Sequence, residues 1–197
     1  EKSGLFLALN ANKRGITLDL DDPADARRLL VLAKDTDIVV ESRSVGTLER
    51  RGLDYKSLRR VNPEIIVTSI TPFGREGPYA EYRVTDLVLY HMAGLAHGLL
   101  GPVEDPDSEP PVRAGGHPAE LVAGMAAATA TMMALYRRRM TGTGCHVTVS
   151  SFHAMATQVI AGLVNTALGR PAPTRDLNLQ QEAAIGGMVA AVGGVAE

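Results

Sequence analysis

"DIVVESRSVGTLERRGLDYKSLRRVNPEIIVTSI", residues 37–70, is the stretch from which the fold can be read. Its two ends, "DIVVES" and "EIIVTSI", are apolar runs of strand length, rich in β-branched residues. Between them, "LERRGLDYKSLRRVNP" has the pattern of one or two short helices, ended by Pro63. Strands this apolar need cover on both faces. A helix joining two of them implies parallel pairing with a right-handed crossover. The expected class is α/β, a parallel sheet flanked by helices.

The pattern extends in both directions. Upstream, "GITLDL" at 15–20 alternates and reads as a strand. "DDPADARRLLVLAKDT" at 21–36 reads as a helix, with Asp22 as cap, Pro23 in its first position, and Leu29, Leu30, Leu32 and Ala33 as the apolar stripe. Downstream, "TPFGREGPY" at 71–79 is a glycine–proline loop directly after a strand end, where open α/β sheets gather ligands. A helix is expected over "TDLVLYHMAGLAHGLL" at 85–100, then an acidic, proline-rich exposed loop at 101–116. "GGHPAELVAGM", 115–125, opens a helix running to about Arg139. "TGTG" then turns the chain into the alternating strand "CHVTVS", with Cys145 a small hydrophobe within it. "FHAMATQVIAGLVNTALG" is a last helix, stopped by Gly169, with Ser150–Ser151 as its cap. Residues 1–170 are expected to form part of a large domain, with 171–197 a linker or the start of a smaller one.

Of the 197 residues, 45% are hydrophobic and 21% charged, an ordinary globular mix. Aromatics are 4% with no Trp, so alanine, valine and leucine must build the core. The net charge of −2 and the dispersed basic residues do not suggest nucleic-acid binding. One cysteine permits no internal disulfide and fits a reducing compartment, so a cytoplasmic location is expected. The apolar run in "SGLFLALNANKRG" is too brief and wrongly flanked for a signal peptide. "LVAGMAAATATMMALY" reads as a buried helix that falls short of a membrane span. The five histidines lack ligand spacing with cysteines or acids, so no metal site is expected.

Glu120 lies in the first turn of its helix, where acids are favoured in any case. The position also has chemical potential. Free N–H groups at a helix start can hold an oxyanion, and Gly115–Gly116 lets a bulky ligand approach the backbone. An ionised carboxylate there could attack an activated acyl group and form a covalent intermediate.

Taken in order, "LNANKRGITLDLDDPADARRLLVLAKDTDIVVES", "GTLERRGLDYKSLRRVNPEIIVTSITPFGREGPY", "PAELVAGM" and "RRMTGTGCHVTVSSFHA" resemble the class III coenzyme A transferases, which include formyl-CoA and carnitine-CoA transferases and α-methylacyl-CoA racemase. The resemblance covers about residues 5–155 and implies a Rossmann-like α/β domain within an interlocked homodimer. It implies acyl-CoA and carboxylic acid substrates, with no permanently bound cofactor. In the transferases an aspartate at a helix start carries the CoA thioester, and the matching residue here is Glu120. By the same resemblance Asp86 is an acidic position near the nucleophile, which local sequence would read as the cap of the "LVLYHMAG" helix. Leu18, Asp19, Leu20, Asp21, Ser42, Arg43, Arg50 and Arg83 match CoA-contacting positions, with an asparagine and an aromatic of the usual loop replaced by Ser42 and Arg43. The racemases carry a histidine where this chain has Thr85. A racemase needs two proton carriers, which argues against racemisation. Transferase chemistry is the favoured reading, with a racemase-like enzyme or a catalytically degenerate CoA-binding chain as the alternatives.

Overall fold

The computed structural model describes residues 3–96, 103, 105, 107–110 and 114–170, excluding the side chain of Ala161. Strands β1 (Ile38–Glu41) and β2 (Ile66–Thr71) pair in parallel, with Ile38 opposite Ile66 and Glu41 opposite Ser69. Between them lie a 3₁₀ turn, Glu49–Arg51, and helix α3, Tyr55–Val61, as the sequence predicts. Asp54 caps α3, its carboxylate accepting from Ser57 N and Ser57 Oγ. Strand β3 (His146–Ser150) joins the other side of β2, also parallel, so the order is β1-β2-β3 and β2 is central.

Helices cover both faces. On one, α2 (Pro23–Ala33) and α3 bury Ala33 and Leu58 against Ile65 and Val67. Asn62 Nδ2 ties the two ends together by donating to the carbonyls of Ala33 and Thr36. Side chains alternate along a strand, so Thr68 faces the opposite way from Val67. There it meets α5 (Pro118–Thr141), with Thr68 Oγ1 and Thr131 Oγ1 2.7 Å apart in the buried interior. The buried line of α5 is Ala119, Ala123, Ala127, Thr131 and Ala134. Spacings of three and four put these small residues on one face, allowing close approach to the sheet. Helices α4 (Asp86–Met92) and α6 (Ser151–Ala156) complete this side around Phe73, Leu89, Tyr90 and Met155.

Several expectations need correction. "GITLDL" forms no strand; its acidic end instead folds into turns, with Asp19 Oδ1 accepting from Asp21 N and Asp25 Oδ2 accepting from Asp19 N. Short acidic side chains compete with a sheet ladder in this way. Helix α4 stops early, because Gly94 turns the chain at φ 81°. The last helix is in three pieces: α6, a 3₁₀ turn at Thr157–Val159, and α7 (Ile160–Ala167). The Thr157 hydroxyl donates to the Ala154 carbonyl at the break. Cys145 precedes β3 rather than lying in it. At 24 residues α5 does not fall short of a span: it is long and apolar enough to cross a membrane by length and composition, though here its small-residue face packs on the sheet. The expected 171–197 unit lies outside the described residues, as does most of the 97–113 stretch.

A candidate active site at the carboxyl edge of the sheet

A parallel sheet leaves the carboxyl ends of its strands on one edge, and three ends meet there. β2 ends at Thr71, β1 leads into Ser42, and β3 ends at Ser150 and leads into Ser151. Ser150 is the helix cap, accepting from His153 N at 3.3 Å, while Ser151 is buried in the first turn of α6. The first turns of α4 and α5 converge on the same edge and bring Asp86 and Glu120 with them. The result is a cavity of about 430 Å³, walled by Ser42, Ile70, Thr71, Asp86, Leu89, Glu120 and Ser151 among others.

Asp86 is not the cap expected from local sequence. Thr85 holds the cap position of α4, and Asp86 reaches across to α5. Its Oδ1 accepts from Ala119 N at 2.8 Å and Glu120 N at 3.1 Å. His117, the residue at the cap position of α5, makes no side-chain cap bond, so the Asp86 carboxylate, 33 residues before Ala119, does that work. The amides expected to be open for an oxyanion are therefore already occupied. Asp86 is 7% exposed, a burial that a charged group tolerates only when well hydrogen-bonded.

Glu120 stands at the rim. Its backbone is tied to Asp86, but its side chain is 69% exposed. Its Oε2 lies 3.7 Å from His117 Nδ1, an ion pair when that histidine is protonated. Gly116 takes φ 80°, and a Cβ on either Gly115 or Gly116 would meet nothing within 4 Å. Thus only Gly116 needs glycine for its backbone angle, and both leave the approach to Glu120 open.

A second cavity of about 160 Å³ adjoins the first, sharing Ser42, Thr71, Pro72 and Val84 in its wall. Arg43 and Arg83 line it. Leu20, Asp21 and Arg50 lie together at a third cavity of about 430 Å³. Arg50 reaches this position beside Gly46, where a Cβ would come within 2.9 Å of Arg50 Nη1. Asp21 there accepts from Arg51 Nε at 2.8 Å. Leu18 and Asp19 line none of these cavities; Asp19 instead forms the turn leading into α2. The structure thus gathers Asp86, Glu120 and Ser42 at one cavity, Ser42, Arg43 and Arg83 at its neighbour, and Leu20, Asp21 and Arg50 at a third. Sequence reasoning missed Thr71 and Ser151 as wall residues. The available signal was position alone: the last residue of a central parallel strand, and the first turn after another.

Among the described residues no cluster of three histidine, cysteine or acidic side chains could hold a metal ion.

Known proteins match most of the chain. The model of CoA-transferase family III matches residues 1–194. The chain is 34% identical over 155 residues to an acetyl-CoA:oxalate CoA-transferase of Acetobacter aceti, covering 77% of this chain and 38% of that protein. It is 37% identical over 163 residues to a succinyl-CoA:glutarate CoA-transferase of Mus musculus, covering 81% of this chain and 36% of that one. A CaiB/BaiF family protein from Brucella suis has a similar structure, with a TM-score of 0.77 at 31% identity over 83% of this chain and 42% of that one. The chain therefore spans well under half the length of these relatives.

Proposed function

Because the chain belongs to CoA-transferase family III, we propose that it is the part of an acyl-CoA:carboxylate CoA-transferase that bears the nucleophile, Glu120. The observation that carries this reading is the pair of adjoining cavities, with Arg43 and Arg83 at one and Glu120 beside buried Asp86 at the other. Guanidinium groups suit CoA phosphates, and the shared wall gives the pantetheine arm a route to the carboxylate. Arg50, beside Leu20 and Asp21, adds a cation for the nucleotide end.

The chemistry balances without a cofactor. A Glu120 carboxylate oxygen attacks the thioester carbon and expels CoA thiolate, leaving a mixed anhydride. The thiolate attacks the glutamyl carbonyl and releases the donor acid, leaving a glutamyl–CoA thioester. The acceptor carboxylate attacks that thioester and expels CoA thiolate, which takes the new acyl group and frees Glu120. Asp86 is a positioning residue, fixing the turn from which Glu120 projects. Glutamate is one methylene longer than aspartate, and Gly116 together with the exposed rim provides room for it.

Incubation with an acyl-CoA followed by borohydride or hydroxylamine should trap a covalent species at Glu120, read by intact-protein mass. Glu120→Ala should abolish both adduct and turnover; persistence of either removes Glu120 from the mechanism. The same reading includes a homodimer, supported by the apolar outer face of α5 at Leu121, Met125, Met132, Met133, Tyr136 and Met140. It also includes a cytoplasmic location, for which the single cysteine is the support and cell fractionation the test.

A further inference from the structure

The wall between the two adjoining cavities holds a hydroxyl that the mechanism above leaves unused. Thr71 ends the central strand, is 1% exposed, and its Oγ1 has no hydrogen-bond partner among the described residues. Buried hydroxyls in folded proteins are almost always paired, so one left over at a cavity wall calls for a partner supplied from outside the fold. Its place supports that view. Thr71 lies on the carboxyl edge of a parallel sheet and lines both the cavity bearing Glu120 and the cavity bearing Arg43 and Arg83. A chain of atoms running from the arginines to Glu120 passes this residue.

We propose that Thr71 Oγ1 donates a hydrogen bond to the thioester carbonyl oxygen of the bound acyl-CoA. The inference rests on the transferase reading and deepens it by naming a donor for the reacting carbonyl. The amides of Ala119 and Glu120, which a helix start would otherwise offer, are held by Asp86 Oδ1. When Glu120 attacks the carbonyl carbon, negative charge grows on its oxygen, and a donor fixed at that point strengthens as the charge develops. No proton leaves Thr71, and the bonds made and broken are those already given.

Thr71→Val and Thr71→Ser separate this role from a structural one. Removing an oxyanion donor costs on the order of a hundredfold in kcat. Thr71→Val should show that loss while its affinity for free CoA stays unchanged, and Thr71→Ser should recover most of the rate. The melting temperature of unliganded Thr71→Val should equal or exceed that of the parent, because a methyl replaces an unpaired hydroxyl. An unchanged kcat in Thr71→Val, a Thr71→Ser variant as slow as Thr71→Val, or a rate loss accompanied by a fall in melting temperature would overturn the proposal. If the parent protein forms no adduct, the transferase reading fails separately. Thr71 is then judged by binding: the affinity advantage of acyl-CoA over free CoA must shrink in Thr71→Val, and an unchanged ratio overturns it.

Discussion

Asp86 shows how one side chain joins distant parts of the chain into a site. It starts one helix by position and satisfies two amides of another by hydrogen bonding. Charged hydrogen bonds of this kind contribute about 1.5–3 kcal/mol each, and a buried amide left without an acceptor costs a similar amount. Asp86→Ala should therefore destabilise the protein by roughly 2–4 kcal/mol in urea unfolding. Asp86→Asn retains an acceptor oxygen and should lose less. Equal losses in the two variants would mean that packing, not the hydrogen bonds to α5, sets the contribution. Glu120 and Thr71 differ in what their surroundings demand. The Glu120 side chain is exposed at the rim, whereas the Thr71 hydroxyl is buried with no hydrogen-bond partner among the described residues.

Among the elements, β3 makes the most chemically specific contact with its neighbours. His146 opens it, with Nε2 2.8 Å from Ser69 Oγ on β2 and its ring stacked on Tyr55 of α3 at a centroid separation of 5.1 Å. Arg75 lies nearby, paired with Glu41 and Glu49. Burial, followed by the Arg75 charge, pushes the His146 imidazole below its usual range against the opposing pull of Glu41, Glu49 and Asp54. A histidine whose folded pKa is depressed binds its proton more readily when unfolded. Its contribution to stability is thus whole above the ordinary value of 6.5 and is lost as pH falls from there toward the depressed value. Urea midpoints should decline over that window, and His146→Gln should flatten the decline. A variant with the same pH slope as the parent would assign it to other groups. The turn before β3 also depends on one residue: a Cβ on Gly144 would sit 1.9 Å from the Ile65 carbonyl oxygen, so the strand enters its register only with glycine there.

For the whole molecule, the distribution of apolar surface is the main feature. One face of α5 is buried on the sheet by small residues, while its other face exposes four methionines, Leu121 and Tyr136. α1 (Gly4–Leu9) exposes Leu5, Phe6, Leu7 and Leu9 as well. Contiguous exposed apolar surface of this kind marks places where other chain segments or subunits pack. Sedimentation velocity should return twice the mass of one chain; a single-chain mass at micromolar concentration would remove the homodimer from the proposed function.

The sequence by itself determined the parallel strand–helix–strand unit at 37–70, the α2 cap at Asp22 and the long helix with Glu120 in its first turn. Each of these is encoded locally, by hydrophobic period and by residues whose side chains bond to neighbours a few positions away. Family motifs added Glu120 and Asp86 as a pair. The tertiary structure alone decided which acceptor holds the α5 amides, which hydroxyl is buried unpaired at the cavity wall and whether "GITLDL" finds a strand partner. These depend on contacts between residues tens of positions apart, as between Asp86 and Ala119 or Thr68 and Thr131, and local periodicity carries no record of such distances. Burial made the same choice at Thr71, enclosing the hydroxyl of a strand threonine at the cavity wall with no hydrogen-bond partner among the described residues.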